Sequence, residues 1–137
     1  MKNTPYLIFI LLIVSCSGLS KIFNNGTLTN IDYKEIIPFN YDYNYAIIEV
    51  EIHSRTYNFL VDTGAPTVIS NAIYEDLKIE TMDYIAVEDS QGQINSQKVV
   101  VVPEIKIGNL TYHNTGAVVA DLRTVFEYNC IGIDGII

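Results

Sequence analysis

Tryptophan is absent from the sequence, cysteine and histidine occur twice each, and only eight lysines and arginines face sixteen acidic residues. The cations are scattered singly and form no basic patch, which argues against nucleic acid as a partner. His53 and His113 lie far apart with no second ligand near His53 in the sequence, so neither a metal nor another cofactor is expected. No repeat or low-complexity segment appears. What the chain does have in quantity is ten tyrosines and many isoleucines and valines, residues that favour strands over helices. A length of 137 residues fits one domain. The class expected is all-β.

Residues 1–15 read as an export signal: Lys2 supplies the positive start and residues 6–14 the apolar core, which is shorter than the roughly 20 residues of a bilayer span. The following Ile13-Val14-Ser15-Cys16 resembles the lipobox of bacterial lipoproteins. That resemblance implies cleavage before Cys16, acylation of its thiol, and a membrane partner engaged through lipidated Cys16. Ser17 after the cysteine resembles the outer-membrane sorting pattern, which places the expected location in the cell envelope, on the outer membrane facing the periplasm. Losing Lys2 takes the net charge from −8 to −9. Cys130 is then the single free thiol, which excludes an intramolecular disulfide, and its apolar neighbours mark it as a small core residue. Residues 16–30 read as a lipidated anchor and a polar, unpatterned tether, with the folded domain over 31–137.

From residue 46 the strand signals come quickly. Residues 46–52 alternate apolar with acidic from Ile48 onward, residues 53–56 make a hairpin turn, and residues 57–61 run back. Ser70 or Asn71 caps a short helix over 71–77, with Ile73, Tyr74 and Leu77 at helical spacing; Glu75 and Asp76 on it are expected to be solvated. Residues 82–102 form a long hairpin with a polar, glycine-containing turn. Residues 105–112 make another with Gly108-Asn109 at its turn, followed by a buried strand over 116–120. Asp121 caps a short helical turn through Val125 and Phe126.

The stretch that organises the rest is Phe59-Leu60-Val61-Asp62-Thr63-Gly64-Ala65-Pro66-Thr67-Val68-Ile69-Ser70. An apolar run delivers one carboxylate, one hydroxyl and one glycine at a turn, then becomes apolar again. A carboxylate so placed is costly unless hydrogen bonds hold it. Gly64 lets the backbone approach the acid, and the Thr63 hydroxyl can bond to backbone or to a partner loop. The pattern resembles the active-site loop of aspartic peptidases, especially the retropepsin-like group.

That resemblance implies a closed β-barrel like one pepsin lobe, with one or two short helices, and an endopeptidase that hydrolyses a peptide or protein substrate without metal or covalent intermediate. Two aspartates share one proton; the ionised one activates a water and the protonated one donates to the scissile carbonyl. Asp62, Thr63 and Gly64 take the catalytic positions. Ala65 and the tip residues Ser90, Gln91 and Gly92 of the long hairpin, matching the family's flap, take substrate-binding ones. The chain holds one Asp-Thr-Gly, so the second acid must come from another copy, in a homodimer, or from a second lobe. The rival reading keeps the fold without catalysis, as a peptide-binding or assembly lipoprotein or a fragment without function.

Near the end, Ile131-Gly132-Ile133-Asp134-Gly135-Ile136-Ile137 resembles the family's second signature, two hydrophobic residues and then glycine, whose strand crosses beneath the catalytic loop. Two registers fit: Cys130-Ile131-Gly132, or the favoured one with Ile136 and Ile137 as the hydrophobic pair. Asp134 lacks the hydroxyl neighbour of a second catalytic acid. Stopping on Ile-Ile inside a core element points to a C-terminally incomplete domain.

Overall fold

A computed structural model describes residues 17–29, 34–42, 44–88, 92–123 and 132–137. Among the described residues, two helices and nine strands follow in chain order: α1 (Ser17–Asn24), β1 (Thr27–Leu28), β2 (Asn40–Asp42), β3 (Tyr45–Ile52), β4 (Arg55–Leu60), β5 (Val68–Ser70), α2 (Asn71–Leu77), β6 (Thr81–Glu88), β7 (Ile94–Ile107), β8 (Leu110–Ala120) and β9 (Gly135–Ile136).

The alternation in β3 does what a period of two must do. Ile48, Val50 and Ile52 are buried while Glu49 faces water. Ile52 pairs with Arg55, so the hairpin turn is the two residues His53 and Ser54, both left-handed with φ of 54° and 63°. A two-residue turn of that hand matches strand twist, but it suits Asn-Gly better than side chains branched away from glycine. Replacing His53-Ser54 by Asn-Gly is expected to raise stability by about 1 kcal/mol in urea unfolding.

The strands close into a ring in the order β8, β5, β9, β4, β3, β7 and back to β8, with β1, β2 and β6 attached to β8, β3 and β7. The mostly β, ring-like sheet agrees with the all-β class expected. Its narrowest seam is β3 to β7, which register through Glu51 and Lys106 alone. Lys106 Nζ lies 3.1 Å from Glu51 and 3.3 Å from Glu104, and these carboxylates, Glu51 first, hold the ammonium above its ordinary range. A raised lysine contributes at neutral pH and loses that contribution only as pH climbs past the free lysine value through the raised one.

Inside the ring lie Val50, Phe59, Ile69, Val100, Val102, Ile105 and Val119, all almost without exposed surface. A second cluster of Ile47, Leu60, Leu122 and Ile133 sits at the end from which Asp62 emerges. Ser70 caps α2 as expected, its hydroxyl accepting from Ile73 N–H at 3.3 Å, and Lys78 ends the helix in the left-handed region. Ser70→Ala is expected to cost about 1 kcal/mol, read as a lower urea midpoint with an unchanged slope. Asp76 is exposed, as expected, and pairs at the surface with Arg55 of the β3–β4 hairpin.

One stretch departs from its reading. Over 17–29 the expected tether is replaced by α1 and by β1, which pairs with Tyr112 and His113 of β8. Polar composition concealed this, because the contact is made by backbone: a Cβ on Gly116 would lie 2.4 Å from the carbonyl oxygen of Ile22. Only glycine on β8 allows α1 so near. Asp121 Oδ1 accepts from Arg123 N–H, as a capping acid would. Val125, Phe126 and Cys130, which was expected in the core, lie outside the described residues.

Candidate active site

Asp62 follows β4 directly, and the backbone around it is fixed from both sides. Val61 N–H donates to Ala46 O at 2.9 Å, and Asp62 N–H donates to Ile137 O at 2.8 Å. Ile137 N–H returns the bond to Leu60 O at 2.9 Å. The turn is then closed from within: Gly64 N–H donates to Asp62 Oδ1 at 2.9 Å, and Ala65 N–H to Asp62 O at 3.2 Å. A backbone N–H on one carboxylate oxygen fixes the rotation of the acid and leaves the other oxygen free to act on a water. Asp62, Thr63 and Gly64 are exposed, and Ala65 is half-buried.

What holds the loop in place is β9. It runs parallel to β4, through Phe59 with Gly135 and Leu60 with Ile136, and antiparallel to β5, through Val68 with Ile136 and Ile69 with Gly135. The strand entering the Asp62 turn and the strand leaving it thus share one neighbour wedged between them. β9 thus lies where the crossing strand of the second signature was expected, in the register with Ile136 and Ile137 as the hydrophobic pair.

Sequence reasoning set Asp134 aside as a catalytic acid, and so missed what it does. Asp134 Oδ2 accepts from Asn58 N–H at 2.9 Å, Asp134 N–H donates to Asn58 O at 2.8 Å, and Ser70 N–H donates to Asp134 O at 2.8 Å. One residue therefore ties β4 to β5 just before β9 enters. The Asp-Gly that precedes the hydrophobic pair was the available signal: an acid followed by a residue with no side chain, at the mouth of a narrow slot.

The long hairpin is as expected, with arms β6 and β7 paired from Thr81 with Val100 to Glu88 with Ile94. Pairing of β7 with β8 begins only at Lys98 with Val119, so residues 94–97 are joined to β6 alone and project from the ring. Met82, Tyr84, Val87 and Ile94 on these arms are exposed. Of the tip residues, Gly92 is exposed and left-handed at φ 79°, while Ser90 and Gln91 lie outside the described residues. Cys16 does too.

A family model described as aspartyl protease matches residues 48–137. Among solved structures, the crystal structure of a retropepsin-like aspartic protease from Rickettsia conorii is similar in fold, with a TM-score of 0.56 and 16% identity over 82% of this chain and 76% of that one. None of the curated proteins compared with the chain is similar enough to count as a match.

Proposed function

The chain belongs to the aspartyl protease family, and on that footing we propose that it is an aspartic-type endopeptidase in which Asp62 is one half of a proton-sharing dyad. The observation that carries this reading is the Asp62 turn, in which Gly64 N–H orients one carboxylate oxygen while Asp62 N–H and the wedged β9 fix the backbone. Such a turn presents an acid at a set position and angle, which acid–base catalysis requires.

The second acid is supplied by a second copy of the chain or by another lobe, since this sequence has one Asp-Thr-Gly. With two carboxylates side by side only one ionises; it takes a proton from the water between them as the water attacks the scissile carbonyl. The protonated partner donates to the carbonyl oxygen, so the tetrahedral intermediate forms without a free oxyanion. Collapse returns a proton to the leaving amine. On this reading Thr63, exposed beside Asp62, binds the opposing loop, and Ala65, Ser90, Gln91 and Gly92 take the substrate-binding roles.

The test is hydrolysis of a mixed peptide library, with products identified by mass. The rate should follow a bell in pH, falling once both acids are protonated and again once both are ionised. A peptide with a tetrahedral hydroxyl centre in place of the scissile carbonyl should bind at least about 100-fold tighter than its substrate. Binding of extended peptides without any cleavage would favour the rival, peptide capture; the outer edge of β6, unpaired among the described residues, would serve it.

We further propose that the protein is held to the bacterial envelope by lipid on Cys16. Cys16→Ala should release it from the membrane fraction and remove the acyl mass from the N-terminal peptide. Persistence of both in the variant would overturn the anchor.

A further inference from the structure

One side chain touches both arms of the β6–β7 hairpin at the level where it leaves the ring. Tyr74, on α2, has its hydroxyl 3.0 Å from Thr81 Oγ1, and Lys98 Nζ stands 4.1 Å from the centre of its ring. Thr81 is the first residue of β6, and Lys98 is the residue of β7 at which pairing with β8 begins. Between Thr81 and Asp83 the β6–β7 register slips. A bulge at the foot of a hairpin bends and twists the arms, and it is the natural place for them to pivot.

Tyr74 is well seated to resist such a pivot. It packs against the main core cluster, and its helix is capped by Ser70, the last residue of β5. The sheet carries the connection onward: Val119 registers with Lys98 on one side and with Ile69 on the other. The foot of the hairpin and the strand leaving the Asp62 turn are therefore held by the same stretch of β8 and by the same short helix.

We propose that Tyr74 is a positioning residue that fixes the stance of the β6–β7 arms relative to the Asp62 turn, through its hydroxyl on β6 and its ring face on β7. Its consequence for peptide hydrolysis rests on the endopeptidase reading and on the hairpin serving as the flap. The stance itself does not. Neither contact is part of the dyad, so loss of Tyr74 alters how substrate is held and leaves the acid–base chemistry in place.

Amide hydrogen exchange on the full chain, followed by mass, tests it without any substrate. Tyr74→Phe keeps the ring and loses the Thr81 bond, and exchange in 83–87 and 94–97 should quicken about fivefold. Lys98→Met removes the cation and should quicken the same amides about threefold. Tyr74→Leu removes both contacts, with an effect on the order of tenfold that Lys98→Met does not enlarge when added. Amides of β3, β4 and β8 should keep their protection throughout.

Unchanged arm exchange in Tyr74→Phe and Lys98→Met would overturn the proposal, as would quickening spread evenly over the ring. Should Tyr74→Leu not fold, the two milder variants still decide. With a cleaved peptide, Tyr74→Phe should raise KM severalfold and leave kcat within about twofold, since uniform binding and not chemistry is lost. A parent protein that cuts nothing counts against the endopeptidase reading alone, because the exchange result stands apart from cleavage.

Discussion

Asp62→Asn should lower kcat for peptide hydrolysis by about 10³-fold or more while leaving the urea midpoint where it was. The amide retains an oxygen where Oδ1 stands, so Gly64 N–H keeps an acceptor and the turn keeps its shape. What it loses is the capacity to take a proton from water or to share one with a second acid. Since Asp62 is exposed, no burial cost changes with the substitution. Activity and stability are thereby separated in one variant. A fluorogenic peptide assay beside a urea titration reads both, and an Asp62→Asn protein that still cuts at the parent's rate would sink the dyad.

The largest loss of stability is expected from Phe59→Ala, about 3–5 kcal/mol in urea unfolding. Phe59 has no exposed surface, belongs to the main core cluster, and registers with Gly135 of β9. Its ring lies over the bare backbone of that glycine: a Cβ added there would meet Phe59 Cε1 at 2.2 Å. Removing the ring leaves a cavity under the strand that holds the Asp62 turn, so a loss of activity should accompany the loss of stability. Against a typical total of about 5–15 kcal/mol the change is severe. Gly135→Ala alone should cost about 1–3 kcal/mol by overpacking. In the Phe59→Ala background its methyl enters vacated space, so the double variant should be more stable than the two costs added together, by about 1 kcal/mol. Strict additivity would show that ring and glycine do not meet.

Much of this structure was legible because its signals are local. The alternation of Ile48, Val50 and Ile52 with Glu49 and Glu51 dictates a strand with one wet face, and Ser70 before Ile73, Tyr74 and Leu77 dictates a capped helix. Gly108-Asn109 dictates a turn, and Asp62-Thr63-Gly64 between apolar runs marks the candidate site. What stayed hidden depends on residues distant in sequence. The bond from Asn58 to Asp134 spans 76 residues, and no periodicity records it. The slot between β4 and β5 has no sequence of its own; only Gly135 hints that something must pass under a large side chain. Residues 17–29 were misread for a related reason. Their docking on β8 relies on backbone approaching Gly116 and on ladder bonds, which composition does not encode.

The wedged position of β9 also fixes an order of events during synthesis. Ribosomes release a chain from its N-terminus onward, so β4, the Asp62 turn and β5 all emerge well before the strand that must lie between them. Until residues 134–137 are free, Asp62 N–H lacks Ile137 O and Ser70 N–H lacks Asp134 O. Closing so long a loop is slow compared with forming the β3–β4 hairpin. The Asp62 turn is therefore set in place last, only after the residues that wedge between β4 and β5 have been made.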